Sequence, residues 1–159
     1  ITNYSFPSRY GGNIRVEISN KEFEGEDIDL GAKLIGEGSF GQKLIDMNYD
    51  IIAWGKQKSL EIAAAIEKYG KLEAKAFPGR SAIPVKMLGL TEEHIKCVYE
   101  KPGSLKLDFK VPGTQIPIVA DLEDFSECKC ILNLSWHIKD EIEKYLRSKG
   151  FKGHLIQII

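Results

Sequence analysis

At Leu72-Glu73-Ala74-Lys75-Ala76-Phe77-Pro78-Gly79-Arg80-Ser81-Ala82 the chain changes character. Upstream, over residues 30–69, apolar positions recur at helical spacing, clearest in Leu60, Ile62, Ala63, Ala64 and Ile66. Glycines at 36, 38, 41 and 55 interrupt that run, so the expectation is helix broken by turns. From residue 72 onward the apolar positions gather instead into short β-rich runs at 72–77, 95–99, 116–119, 128–134 and 154–159. Helical or irregular stretches separate most of them. Residues 85–90 follow the first run, and 138–149 follow the fourth with Ile138, Ile142, Tyr145 and Leu146 on one face. Strands alternating with crossovers predict a parallel sheet covered on both faces. A further strand at 13–19, where Ile14, Val16 and Ile18 alternate with Arg15 and Glu17, comes first in the chain. The expected fold is α/β, a Rossmann-like parallel sheet with flanking helices, preceded by an N-terminal strand and a broken helical segment. Residues 1–70 are expected to pack on a core of residues 71–159, as one compact domain.

Composition agrees with a single globular domain: 159 residues, 43% of them hydrophobic, suffice for a sizeable core. With 22 basic and 23 acidic residues the formal net charge is -1, which excludes a general attraction to nucleic acid or to an anionic membrane. No apolar run approaches the length that crosses a bilayer, and no secretory leader is recognisable, so a cytoplasmic location is expected. The first residue is Ile1 rather than methionine, which suggests processing or excision from a longer protein. Cys97, Cys128 and Cys130 lie in apolar, β-branched surroundings. Alternate strand positions share a face, so Cys128 and Cys130 read as small core residues rather than zinc ligands.

Ile35-Gly36-Glu37-Gly38-Ser39-Phe40-Gly41 mimics the glycine-rich loop of a protein kinase. The strand lysine, the His-Arg-Asp loop and the Asp-Phe-Gly magnesium ligand that such an enzyme needs are missing downstream, so the segment reads as a turn between helices. Phe77-Pro78-Gly79-Arg80-Ser81-Ala82 is better placed, between the first sheet strand and a helix, where Rossmann-like domains bind nucleotide phosphates. Gly79 permits close backbone approach, helix-terminal N–H groups favour an anion, and Arg80 can grip a phosphate or carboxylate with two N–H groups. A plain turn shaped by Pro78 and Gly79 accounts for the same residues equally well. Glu100 closes the next strand, where an acidic side chain commonly accepts from ribose hydroxyls, although a solvated surface position accounts for it equally well. Pro112-Gly113-Thr114-Gln115-Ile116-Pro117 fixes a turn and enters a strand through proline, which suits a crevice wall, an edge position or a connecting turn. Trp136 and His137 follow an apolar strand and precede a helix, so they fall near a carboxyl end, where ligands bind; His137 could donate to a ligand or cap the following helix, whereas a lone histidine is more often structural. No Ser, His and acid set has the spacing of a nucleophilic triad, and Asp140 and Glu141, adjacent in sequence, diverge on a helix. No catalytic residue and no metal site is expected in this chain.

The order of these features resembles the carboxyl-terminal domain of S-adenosylmethionine-dependent sugar C-methyltransferases, which act on nucleotide-linked deoxysugars. That family's His-Gly-Gly-Ser-Leu-Arg-Val is matched by Tyr10-Gly11-Gly12-Asn13-Ile14-Arg15-Val16, and its Gly-Ala-x-Ala-Lys-Gly turn by Phe77-Pro78-Gly79-Arg80-Ser81. Its Pro-Gly-Thr-His-Ile-Pro-Ile is matched by Pro112-Gly113-Thr114-Gln115-Ile116-Pro117-Ile118, and its Ala-Trp-Asn by Ser135-Trp136-His137 ahead of Asp140-Glu141-Ile142. Tyr10, Arg80, Gln115 and His137 depart from the family's residues, so the ligand is expected to differ. The resemblance implies a substrate-binding domain for a nucleotide-linked sugar, with Pro78, Gly79, Arg80, Ser81, Glu100, Pro112, Gly113, Thr114, Gln115, Trp136 and His137 as candidate contacts. Arg80, Glu100 and the turn at 112–116 are expected to share one crevice. In the family the zinc-binding part, the methyl-donor domain and a Tyr-x-Glu-His catalytic segment lie upstream. No cofactor is therefore expected in this chain, and S-adenosylmethionine is implied for the parent protein, through an upstream methyl-donor domain of the same chain or of a partner. The other reading is a non-enzymatic Rossmann-like nucleotide-binding or assembly domain that keeps the fold alone.

Overall fold

Alternating apolar runs become a sheet when each strand can bury both its faces, and five runs do so here. The computed structural model describes residues 2–7, 14–21, 35 and 38–159. Tyr10-Gly11-Gly12-Asn13, Gly36 and the opening of the helical run at 30–34 lie outside the described residues. The elements are β1 (Asn3–Ser5), β2 (Arg15–Glu17), α1 (Phe40–Tyr69), β3 (Leu72–Lys75), α2 (Ala82–Met87), β4 (Ile95–Glu100), β5 (Ile118–Ala120), β6 (Cys130–Asn133), α3 (Lys139–Ser148) and β7 (His154–Gln157). Short 3-10 helices, Gly79–Ser81 and Trp136–Ile138, lead into α2 and α3.

The chain divides into two compact units, Ile1–Asp50 and Ile51–Ile159, and the division falls inside α1. In the first, β1 and β2 pair antiparallel, Tyr4 opposite Val16, with the Tyr4 and Phe6 rings edge to face. Every β2 residue is exposed. In the second, β3 to β7 form one parallel sheet in the order β5-β4-β3-β6-β7.

Each face of that sheet has its own core. On one, Leu72, Ala74, Val98, Cys130, Leu132 and Ile156 meet Ile62 and Ala65 of α1 and Val85 of α2. On the other, Cys97, Tyr99 and Ile131 meet Ile142 and Leu146 of α3 together with Phe125 and Phe151. Both outer strands are covered, which removes edges open to further pairing. Beyond β7, Lys58 Nζ donates to the Gln157 carbonyl (2.6 Å) and Trp54 Nε1 to the Ile158 carbonyl (3.1 Å). Beside β5 the connection from β4 folds back antiparallel, with the Ile118 amide donating to the Phe109 carbonyl (2.8 Å) and the Asp108 amide to that of Ile118 (3.1 Å).

Two expectations need correction. The helix is interrupted at only part of its glycines: Gly38 lies in a turn ahead of α1, as expected, but Gly41 and Gly55 both lie within the 30 continuous residues of α1. A helix-interior glycine costs only about 1 kcal/mol, which the helix's own hydrogen bonds and the burial of Ile62 and Ala65 against the sheet outweigh. Cys128 and Cys130 are buried but do not share a face. Cys128 sits in a turn closed by its amide on the Phe125 carbonyl (3.1 Å), ahead of the strand, so the two-residue alternation does not extend to it and the thiols enter opposite cores. Among the described residues no helix is long and apolar enough to cross a membrane.

Candidate functional site

The chain adds β4 and β5 on one side of β3, then returns to add β6 and β7 on the other. The loops leaving the carboxyl ends of β3 and β6 therefore part in opposite directions, and in open parallel sheets such a reversal opens the ligand crevice.

The β3 lip begins with Ala76 in the left-handed region, φ 60°. Its amide donates to the Tyr99 carbonyl (2.9 Å). Phe77 follows, buried, and both its backbone polar groups are held by side chains: its N–H by Glu100 Oε1 (2.7 Å), its carbonyl by Lys106 Nζ (2.5 Å). Pro78 is half-buried, and Gly79 and Arg80 are exposed. Ser81 is fully buried and donates through Oγ to the Leu134 carbonyl (2.7 Å), which ties the β3 lip to the β6 lip. On the β6 side Trp136 and His137 are half-buried, their rings edge to face with centroids 5.8 Å apart.

Beneath these lips lies polar chemistry that the sequence reading missed. Lys75 Nζ and Asp121 Oδ1 are 2.5 Å apart with side chains 5% and 2% exposed, and Tyr145 Oη donates to Asp121 Oδ2 (2.8 Å). The ammonium also lies 5.0 Å from the centre of the Tyr145 ring. Burial, with the hydrogen bond to Asp121, pushes the Tyr145 hydroxyl up to about 12. Asn133 on the neighbouring strand donates to Gln157 Oε1 (2.8 Å) and accepts from the Ser135 amide (2.9 Å). A signal existed: a lysine inside the first core strand of a sheet buried on both faces needs an acid, because an unpaired buried charge is too costly.

Of the expected contacts, Pro78, Gly79, Arg80, Ser81, Glu100, Trp136 and His137 gather at the carboxyl edge. Glu100 is turned inward, with Oε1 committed to Phe77 and 3.4 Å from Lys106 Nζ. Pro112, Gly113, Thr114 and Gln115 do not share that crevice. The connection folds back beside β5 before turning, so the turn precedes a strand parallel to the others and lies at the amino end of the sheet. There the Gln115 amide donates to Glu92 Oε2 (3.1 Å), from the segment ahead of β4. The turn itself is stiff: Gly113 has φ 77°, as a proline-glycine turn of this type requires, and Thr114 Oγ1 donates to the Val111 carbonyl (2.8 Å) and accepts from the Ile116 amide (3.1 Å).

The amino end holds the thiols too. Burial pushes Cys128 up to about 12, reinforced by Glu73, and Cys130 up to about 11. Burial also raises Glu73, but hydrogen bonds from Cys128, Lys96 and Tyr99 outweigh it and leave the carboxyl below its ordinary value. Thiols held protonated are poor ligands, and among the described residues no group of three or more His, Cys, Asp or Glu is placed to hold a metal ion. A nucleoside ribose or a methyl-donor ribose at the end of β4 would call on a free carboxylate, and Glu100 spends Oε1 internally. The family model of the C-methyltransferase C-terminal domain matches residues 9–158. No curated protein matches the chain.

Proposed function

The chain belongs to the C-methyltransferase C-terminal domain family, and from that premise we propose that it holds a nucleotide-linked sugar at the carboxyl ends of β3 and β6. The observation that carries this reading is the reversal of strand order between β3 and β6, flanked by the Phe77 to Ser81 turn on one side and Trp136 and His137 on the other. Arg80, exposed on the outer part of the turn, contacts the diphosphate. Gly79 lets the backbone approach it, and the Trp136 and His137 rings line the opposite lip. Ser81 and Glu100 serve this site by holding its backbone. The methyl donor, S-adenosylmethionine, and the catalytic base belong to an upstream part of the same protein or of a partner chain. Three buried thiols without disulfides suit the reducing cytoplasm.

Titration of the chain with uridine diphosphate glucose and thymidine diphosphate glucose tests the assignment. Arg80→Ala is expected to weaken binding by about 1.5 to 3 kcal/mol, the scale of hydrogen bonds to a charged group, with little change in fold stability. Arg80→Lys loses less, since charge remains while the planar fork does not. Equal affinities for wild type and Arg80→Ala, or no binding by wild type, would sink it.

A further inference from the structure

The geometry points to Lys106 as a positioning residue for the carboxyl-edge site, gripping the Phe77 to Ser81 turn from the β4–β5 connection. The inference rests on the reading of that turn as a ligand lip. Lys106 lies five residues before the point where the connection reaches Val111, and its side chain bends back so that Nζ meets the Phe77 carbonyl at 2.5 Å and Glu100 Oε1 at 3.4 Å. Glu100 Oε1 in turn takes the Phe77 amide at 2.7 Å. One residue's backbone donor and acceptor are thus clamped by an ion pair between the last residue of β4 and the connection that follows it.

Three observations separate this grip from ordinary surface pairing. Lys106 is 43% exposed, so water could satisfy the Phe77 carbonyl without it. Ordering a lysine costs about 2 kcal/mol of rotamer freedom, so the clamp fixes geometry more than it adds stability. The residue before Phe77 is Ala76 at φ 60°, a conformation disfavoured for a residue with a β-carbon, so the turn relaxes if nothing holds it. At its far end the turn is pinned by Ser81 on the Leu134 carbonyl. Pinned at Phe77 and Ser81, the intervening Pro78, Gly79 and Arg80 are presented in one shape before a ligand arrives, which lowers the ordering cost of binding. Two of the three lysine donors go to the clamp, which is why Lys106 positions the turn and Arg80 does the contacting.

The test uses the full chain with Lys106→Met, Lys106→Arg and Glu100→Gln, read by amide hydrogen exchange and by titration with uridine diphosphate glucose and thymidine diphosphate glucose. In Lys106→Met the Phe77 and Ser81 amides should exchange about tenfold faster and the better probe should bind about tenfold more weakly, the effect of one charged hydrogen bond. Thermal stability should move by no more than a few degrees. Lys106→Arg, which can reach both acceptors, should restore both readings, and Glu100→Gln, which keeps an acceptor for Phe77 but loses the charge, should fall between. Unchanged exchange in Lys106→Met overturns the clamp, as does faster exchange with undiminished affinity. A melting point lowered in parallel with affinity, with no rescue by arginine, reduces Lys106 to a general stabiliser and overturns it too. If wild type binds neither probe, the site reading fails and the clamp's part in it goes with it, whereas normal wild-type binding with indifferent variants removes the clamp alone.

Discussion

At the carboxyl ends of the strands Lys75 and Asp121 pair with 5% and 2% of their side chains exposed, whereas toward the amino ends Lys96 pairs with Glu73 while 66% of the lysine side chain faces water. The same chemistry is therefore held under opposite conditions at two ends of one sheet. In the dry pair each partner depends on the other, since either left alone is an uncompensated buried charge. In the wet pair solvent replaces Glu73 for the exposed lysine, and Glu73, if Lys96 is lost, keeps the Tyr99 hydroxyl at 3.1 Å. The carboxyl edge invests buried polar bonds in fixing loop geometry, as expected where a ligand must find groups already in place. The amino edge is made firm by its backbone, through the Pro112 turn and the close approach of the Gly153 segment to residues 128 and 129.

The comparison is broken most directly by Lys75→Met. It strands Asp121 and should cost about 3 to 5 kcal/mol in urea unfolding. Replacing the whole group, Lys75→Met with Asp121→Leu and Tyr145→Phe, should recover most of that loss. A single-variant cost near that of a surface pair would show that water reaches the Lys75 and Asp121 pair despite its burial.

Next in size is Gly153→Ala. A β-carbon there would lie 2.4 Å from the Lys129 carbonyl oxygen and 2.6 Å from that of Cys128, both backbone atoms that cannot swing aside. Overpacking of this kind costs about 1 to 3 kcal/mol, measured by the same unfolding curves. Nucleotide-sugar affinity should be unchanged, because the site lies at the other end of the sheet. Loss of affinity without loss of stability would join the two ends.

Lys96→Ala should cost no more than about 1 kcal/mol, and less in high salt. A larger loss would place the Glu73 pair with the buried class.

The smallest effect is a pH dependence. Burial pushes Cys128 up to about 12 and Cys130 up to about 11 in the folded chain, from an ordinary value of 9.0. The unfolded chain therefore releases these protons first, and their contribution is complete below about pH 9 and declines as pH rises toward the folded values. Cys128→Ala and Cys130→Ala should each flatten the alkaline slope of unfolding free energy against pH, and an unaltered slope in both would show that the thiols are more accessible than their burial implies.

Much of the fold is written locally. The runs that became β3 to β7, the α3 face of Ile142 and Leu146 and the parallel α/β class follow from periods of two and of 3.6 residues, which need only near neighbours in sequence. The turn at Phe77 to Ser81 was legible for the same reason, as a strand running into a helix. What the sequence could not reveal depends on strand order and on the path of one connection. Lys75 meets an acid 46 residues away, Lys106 reaches back 29 residues to Phe77, and the Pro112 turn lands opposite the site because residues 108–111 double back along β5. Periodicity decides which side of a strand is apolar. Which loops meet at which end is decided by how the strands are ordered and joined, a consequence of packing the whole sheet at once.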